Sequence, residues 1–186
     1  MTSGYTGPFP ITATGLATGN DQSGEVSTAP GAGAASQQYS VTVAAGTKLA
    51  RFTTHVPDDT QGTDIDLLVA LITPSGAVIV GQSGGPTATE RVDVKNPTAG
   101  TYIAQVSAFA DAPGTASTVF DFRNFLVGPG ATAGAFTVAP SNTNVTTGQK
   151  LTVTASASGL EPDQQYVGWI GYPDGSGTTF VANPDS

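Results

Sequence analysis

Gly62-Thr63-Asp64-Ile65-Asp66-Leu67-Leu68-Val69-Ala70-Leu71-Ile72-Thr73-Pro74-Ser75-Gly76 is the stretch on which the fold turns. Ile65, Leu67, Val69 and Leu71 recur at every second position, the period with which a strand delivers side chains to one face. The run stops at Thr73-Pro74-Ser75-Gly76, where proline presets the first central residue of a turn and glycine closes it. Leu68, Ala70 and Ile72 stand on the opposite face, so beyond Asp66 the strand is apolar on both sides, as expected of a strand covered twice. A second sheet would cover one face. The other would meet residues 133–186, a further domain, or simply a wider jelly-roll core.

The same grammar of strand and turn spreads outward from this stretch. Tyr39, Val41 and Val43 alternate ahead of Gly46, and a second run from Leu49 to Thr54 completes a hairpin in outline. Ala77 to Val80, Glu90 to Val94 and Thr101 to Phe109 follow, the last introduced by Pro97-Thr98-Ala99-Gly100. Val119 to Val127 supplies a closing strand with Phe120, Phe122 and Phe125 as core candidates. Strands and turns at intervals of about ten residues predict an all-β, antiparallel β-sandwich, jelly-roll-like, over residues 1–127. Its first part, residues 1–37, reads as irregular, because Gly, Ser, Ala and Thr fill 17–37.

Residues 128–134, Gly-Pro-Gly-Ala-Thr-Ala-Gly, have no apolar period and read as a linker. Residues 135–186 then predict a small immunoglobulin- or fibronectin-like β unit with only four or five strands. An immunoglobulin-like sandwich normally has about seven, so this unit is expected to lean on a neighbour.

Composition excludes several function classes. Glycine (24) and proline (13) are abundant and charged residues make up only 11%, which disfavours solvated helices and favours strands and turns. The net charge is −8 with six Lys and Arg, so no basic stripe can neutralise nucleic-acid phosphates or an anionic lipid surface. No apolar run approaches the roughly 20 residues of a membrane span. The chain has no cysteine, which removes disulfides and thiolate chemistry. Met1-Thr2-Ser3 leads straight into Gly-Tyr-Thr-Gly-Pro without the apolar core of a signal peptide, so a secreted parent would make this sequence one piece of a longer chain.

Gly81-Gln82-Ser83-Gly84-Gly85-Pro86 is the strongest hint of catalysis, since it satisfies G-x-S-x-G and follows His55, Asp64 and Asp66 in the order of a chymotrypsin-type triad. Its context argues the other way. His55 and Ser83 are only 28 residues apart, far less chain than two complete barrels, and no helical pattern follows Ser83. The expectation is a glycine-rich hairpin loop and no catalytic residue in the chain. His55 is the only histidine, which excludes a histidine-based metal site.

Asp58, Asp59, Asp64 and Asp66 form the one acidic cluster, a candidate calcium site of hard oxygen ligands, although four carboxylates fall short of the six or more oxygens that calcium takes. Trp169 and Tyr172 on one predicted strand, with Tyr102 and Phe109 on another, are a candidate binding surface for sugars, weighed against ordinary packing of large aromatics.

Gly62 to Val69, Thr73-Pro74-Ser75-Gly76, Glu90-Arg91-Val92 and Pro97 to Tyr102 together resemble the pattern of the pre-peptidase C-terminal, jelly-roll-like domains that follow catalytic domains in secreted bacterial proteases. Ser3 to Phe9, Gly46 to Phe52 and Val145 to Leu160 look like the C-terminal region of actinobacterial subtilisin-like serine proteases. The resemblance implies a secreted, extracellular accessory region without catalytic residues of its own. Its partner would be the protease domain of the same parent, and it would stabilise that domain or recruit substrate. The other reading is a stand-alone extracellular module that binds cell-wall glycan or a matrix protein.

Overall fold

The computed structural model describes residues 2–56 and 62–184. No helix occurs among them. The strands are β1 (Gly7–Pro10), β2 (Thr12–Thr18), β3 (Asn20–Val26), β4 (Ser36–Val43), β5 (Leu49–His55), β6 (Asp64–Thr73), β7 (Gly76–Ser83), β8 (Arg91–Lys95), β9 (Gly100–Ala110), β10 (Thr118–Val127), β11 (Ala135–Ala139), β12 (Asn142–Val145), β13 (Thr154–Ser158), β14 (Tyr166–Gly171) and β15 (Gly177–Ala182). They fall into two compact units, one of Gly19–Leu126 and one of Met1–Thr18 with Val127–Ser186.

The central unit holds eight strands in two sheets of four, in the orders β3-β10-β5-β8 and β4-β9-β6-β7. Successive strands alternate between the sheets except in the hairpin β6–β7, which gives the connectivity of a jelly roll. The Pro74-Ser75 turn makes that hairpin, with Thr73 paired to Gly76. The expected hairpin of residues 39–54 does not form. β4 pairs with β9 and β5 with β8, so the loop at Gly46 carries the chain from one sheet to the other. Each strand has an apolar face of its own, and the two faces meet across the sandwich.

Ile65, Leu67 and Val69 of β6, Tyr102, Ala104 and Val106 of β9, Phe52 of β5, and Phe120 and Phe122 of β10 lie in one buried cluster between the sheets. The ring of Tyr39 from β4 stacks on Phe122 with centroids 4.3 Å apart and planes 9° from parallel, and meets Phe120 edge-on at 6.2 Å. Each fully buried ring of this kind contributes about 1.5–3 kcal/mol by leaving water. Gly24, opposite Phe120 in the β3–β10 ladder, is glycine because a Cβ there would come within 2.5 Å of the Phe120 ring.

On β5 and β8, Arg51 and Asp93 are cross-strand partners and form a two-pronged ion pair, Nε to Oδ1 at 2.7 Å and Nη2 to Oδ2 at 2.8 Å. Only 7% of the arginine side chain is exposed. Arg123 and Asp21 repeat the geometry on β10 and β3, where 38% and 52% of the side chains are exposed.

The N-terminal segment corrects one expectation, since residues 1–37 are not irregular but hold β1, β2 and β3. Residues 135–186 hold five strands, β11 to β15, within the expected four or five, and β1 and β2 join them. β1 pairs with β12, β2 pairs with β14, β14 with β15, and β11 with β13, so seven strands build this unit. Leu16 and Val167 are completely buried and Val145 nearly so. The neighbour that the C-terminal strands needed is the first 18 residues of the same chain.

Candidate functional site

The outward face of sheet β4-β9-β6-β7 carries an aligned set of polar side chains. Strand alternation turns Leu67, Val69 and Val106 inward and Asp66, Leu68, Gln105 and Ser107 outward. Register then sets these in rows across the sheet. Gln38, Gln105, Leu68 and Gln82 form one row over all four strands, and Ser36, Ser107 and Asp66 form the next. Between the rows lies an open groove of about 390 Å³, lined among others by Asp66, Leu68, Gln82, Gly84, Gln105 and Ser107. Gln38 Nε2 donates to Gln105 Oε1 at 2.8 Å, and Gln105 Nε2 donates to Ser107 Oγ at 3.3 Å, which fixes both amides.

Behind one end of the groove, the buried carboxylate of Glu90 holds the loop between β7 and β8. Its Oε1 accepts the Gly85 N–H at 3.1 Å, and Ser83 Oγ donates to its Oε2. The Glu90 N–H in turn donates to Thr54 Oγ1 at 3.0 Å. This loop joins strands of different sheets, so the expected hairpin at Gly81 to Pro86 is instead a crossover. Ser83 is engaged with a carboxylate that anchors the loop, and His55 stands exposed at the end of β5.

The acidic cluster is only partly in view. Asp58 and Asp59 lie outside the described residues. Asp64 and Asp66 stand two apart on β6, and no group of three or more His, Asp or Glu side chains among the described residues is placed to hold a metal. Two carboxylates do not make the oxygen shell of calcium, and no role is derived through that ion.

Asp64 is notable for another reason. Its Oδ1 is buried with no hydrogen-bond partner among the described residues. Burial, and then the neighbouring carboxylates of Asp66 and Glu90, push its carboxyl above the ordinary carboxylate range. The native state therefore holds this proton more tightly than the unfolded chain does. Its contribution to stability is full at acid pH and is lost as pH rises through the unfolded value toward the raised folded one. Asp64→Asn is expected to raise the melting temperature at neutral pH and to leave it unchanged below about pH 3. Melts of both proteins with chelator present check this, and a lower midpoint for the variant at neutral pH would show that the carboxylate has a stabilising partner.

Trp169 is 2% exposed and belongs to the packing of its unit, the reading weighed above against a sugar platform. Tyr172 is half-buried, with its hydroxyl 3.0 Å from Thr178 Oγ1 and its ring 6.2 Å from that of Phe9. The exposed aromatic is Phe109 on β9, at 70%. It lies two residues beyond Ser107 on β9, at the shift in the β6–β9 register between Ala108 and Ala110. Of the second aromatic pair that the sequence offers, Tyr102 is buried and Phe109 is exposed. The glutamine row is not visible in the sequence, because Gln38, Gln82 and Gln105 meet only through strand register.

Comparison with known families gives a match between residues 35–108 and the bacterial pre-peptidase C-terminal domain. The match covers these residues and leaves the rest of the chain outside it. The matched stretch runs from β4 to Ala108, two residues short of the end of β9, and with the rest of β9, β3 and β10 it makes the complete jelly roll. The groove and Glu90 fall inside the pre-peptidase C-terminal domain, and Phe109 follows its last matched residue. This family is a non-catalytic C-terminal accessory domain of bacterial proteases, typically extracellular.

No curated protein matches the chain. Among solved structures, it is similar to PliG of Aeromonas hydrophila, a periplasmic inhibitor of g-type lysozyme, at 12% identity and a TM-score of 0.38, over 59% of this chain and 87% of that one. It is also similar to the Yersinia pseudotuberculosis-derived mitogen, at 7% identity and a TM-score of 0.41, over 59% and 86% of the two chains. No helix among the described residues is long and apolar enough to cross a membrane.

Proposed function

We propose that this chain is the non-catalytic C-terminal accessory region of a secreted bacterial subtilisin-like serine protease, where it stabilises the catalytic domain or recruits substrate. The observation that carries this reading is the pre-peptidase C-terminal domain at residues 35–108. The likeness of Ser3 to Phe9, Gly46 to Phe52 and Val145 to Leu160 to the tails of subtilisin-like enzymes narrows the parent class. Such a region acts by burying surface, with no reaction step. β7 supports this, because it is the outer strand of its sheet and carries Val78, Ile79 and Val80, which are 51%, 60% and 36% exposed. A strand edge with exposed aliphatic side chains and no charge is suited to pairing with another extended segment.

The test compares the parent protease with and without this region. Removing it is expected to lower the thermal midpoint of the catalytic domain or its rate on protein substrates, while leaving hydrolysis of a short chromogenic peptide intact. Unchanged midpoint and unchanged protein hydrolysis would overturn the reading. A second reading, a stand-alone extracellular binding module, is favoured by the polar groove on β4-β9-β6-β7.

A further inference from the structure

We infer that the groove on the outer face of β4-β9-β6-β7 is a binding site for a neutral, hydroxyl-rich oligosaccharide, with Phe109 as its stacking platform. The inference goes beyond the accessory reading and does not depend on it, since every residue it uses lies within the jelly roll.

Size and lining come first. A groove of about 390 Å³ falls in the range of small-ligand sites. Its polar walls come from Gln82 and Gln105, Asp66 and Ser107, and Leu68 gives it an apolar floor. A carboxamide offers donors and an acceptor in one plane, and a carboxylate offers two acceptors. Adjacent sugar hydroxyls, each both donor and acceptor, complement such pairs. The amide of Gln105 is already oriented by Gln38 and Ser107, so little rotamer freedom is lost on binding.

Charge narrows the ligand class. No Lys or Arg lines the groove, one carboxylate does, and the chain carries a net charge of −8. Phosphorylated, sulfated or uronic-acid ligands would enter a repelling field with no cation to receive them. The wall is also mostly neutral, with two amides and the hydroxyls of Ser83 and Ser107 beside one carboxylate, which suits a neutral polyol better than a basic peptide.

Shape supplies the remaining observations. Gly84 has no side chain where a Cβ would stand 2.5 Å from Asp66 Oδ1, so the groove wall there is bare backbone beside the carboxylate. Phe109 is 70% exposed, although a ring of its size would lower the free energy of the free domain by burial. Along β9, Gln105 and Ser107 are spaced at about 7 Å and Phe109 follows at the register shift two residues on, a track long enough for several sugar rings with the last over the aromatic face. The flat apolar face of a pyranose is the partner that such a ring accepts while the hydroxyl edges reach the amides.

The experiment uses the intact chain. Native affinity gels and titration calorimetry are run with neutral hexasaccharides of β-glucan, α-glucan, mannan and N-acetylglucosamine type, with a polyuronate and a lysine-rich peptide as comparison ligands. At least one neutral hexasaccharide is expected to bind. Phe109→Ala and Gln105→Ala are each expected to weaken it by about tenfold or more with the melting midpoint unchanged, and Tyr172→Ala to leave it unaltered. Three results would overturn the inference. These are no binding of any neutral hexasaccharide at millimolar concentration, binding that survives both groove variants, and preferential binding of the polyuronate or the peptide. Because Phe109 is exposed, its variant folds and its result is read directly.

Discussion

Asp93→Ala is expected to cost the jelly roll about 3–5 kcal/mol, because it leaves the guanidinium of Arg51 charged, buried and without its carboxylate. The exposure of the two ion pairs decides the magnitude. Arg51 is 7% exposed, so water cannot take the place of Asp93, whereas Arg123 and Asp21 are 38% and 52% exposed. Asp21→Ala is accordingly expected to cost under about 1 kcal/mol. Replacing both members of the buried pair by aliphatic residues, Arg51→Met with Asp93→Leu, should recover most of the loss, since the penalty lies in the orphaned charge rather than in the missing attraction. Urea unfolding followed by far-ultraviolet circular dichroism measures all three. A loss below about 1 kcal/mol for Asp93→Ala would show that the guanidinium is hydrated in the folded chain.

Phe122→Ala is the second large effect, expected at about 3–5 kcal/mol. Phe122 is completely buried and its ring bridges the two sheets through Tyr39 at 4.3 Å. Truncation removes both the transferred area and a stacked pair, and the cavity lies between sheets whose backbones are tied into ladders and cannot close on it. Phe122→Leu should lose markedly less. Val119→Ala, three residues earlier on the same strand and 56% exposed, should stay within about 0.5 kcal/mol. Trp169 is the sole tryptophan and belongs to the other unit, so its fluorescence reports whether that unit follows the jelly roll in unfolding. Equal losses for Phe122→Ala and Val119→Ala would mean that the sheets do not share the core described.

The sandwich was legible in the sequence wherever a strand has one apolar face. Ile65 to Leu71 and the Pro74 turn read correctly because burial imposes a period of two and the turn has fixed chemistry. β3 was not legible. Asn20-Asp21-Gln22-Ser23-Gly24-Glu25 is almost wholly exposed, and its order comes from the ladder with β10 rather than from side chains of its own. Sheet membership was also hidden, because a short loop such as the one at Gly46 can close a hairpin or cross a sandwich with the same residues. For the site, chain distance is the obstacle. Gln38, Gln82 and Gln105 form no local motif, and only the registers of three ladders set them side by side. For Trp169 residue type alone allows a platform or ordinary packing, and the burial of β14 decides for packing.

The order of the strands along the chain has a further consequence, for the sequence in which the parts can assemble. β1 and β2 lie more than a hundred residues before the strands they pair with, and the whole jelly roll intervenes. The jelly roll is one uninterrupted segment that needs nothing outside itself to close. Once β3 and β10 are zipped from Asn20–Asn124 to Val26–Thr118, its two ends are neighbours. The remaining search is then shortened to a loop of a few tens of residues, a saving of about 1 kcal/mol in closure entropy. The chain connection thus couples the two units by about that amount, and the coupling acts equally in both directions.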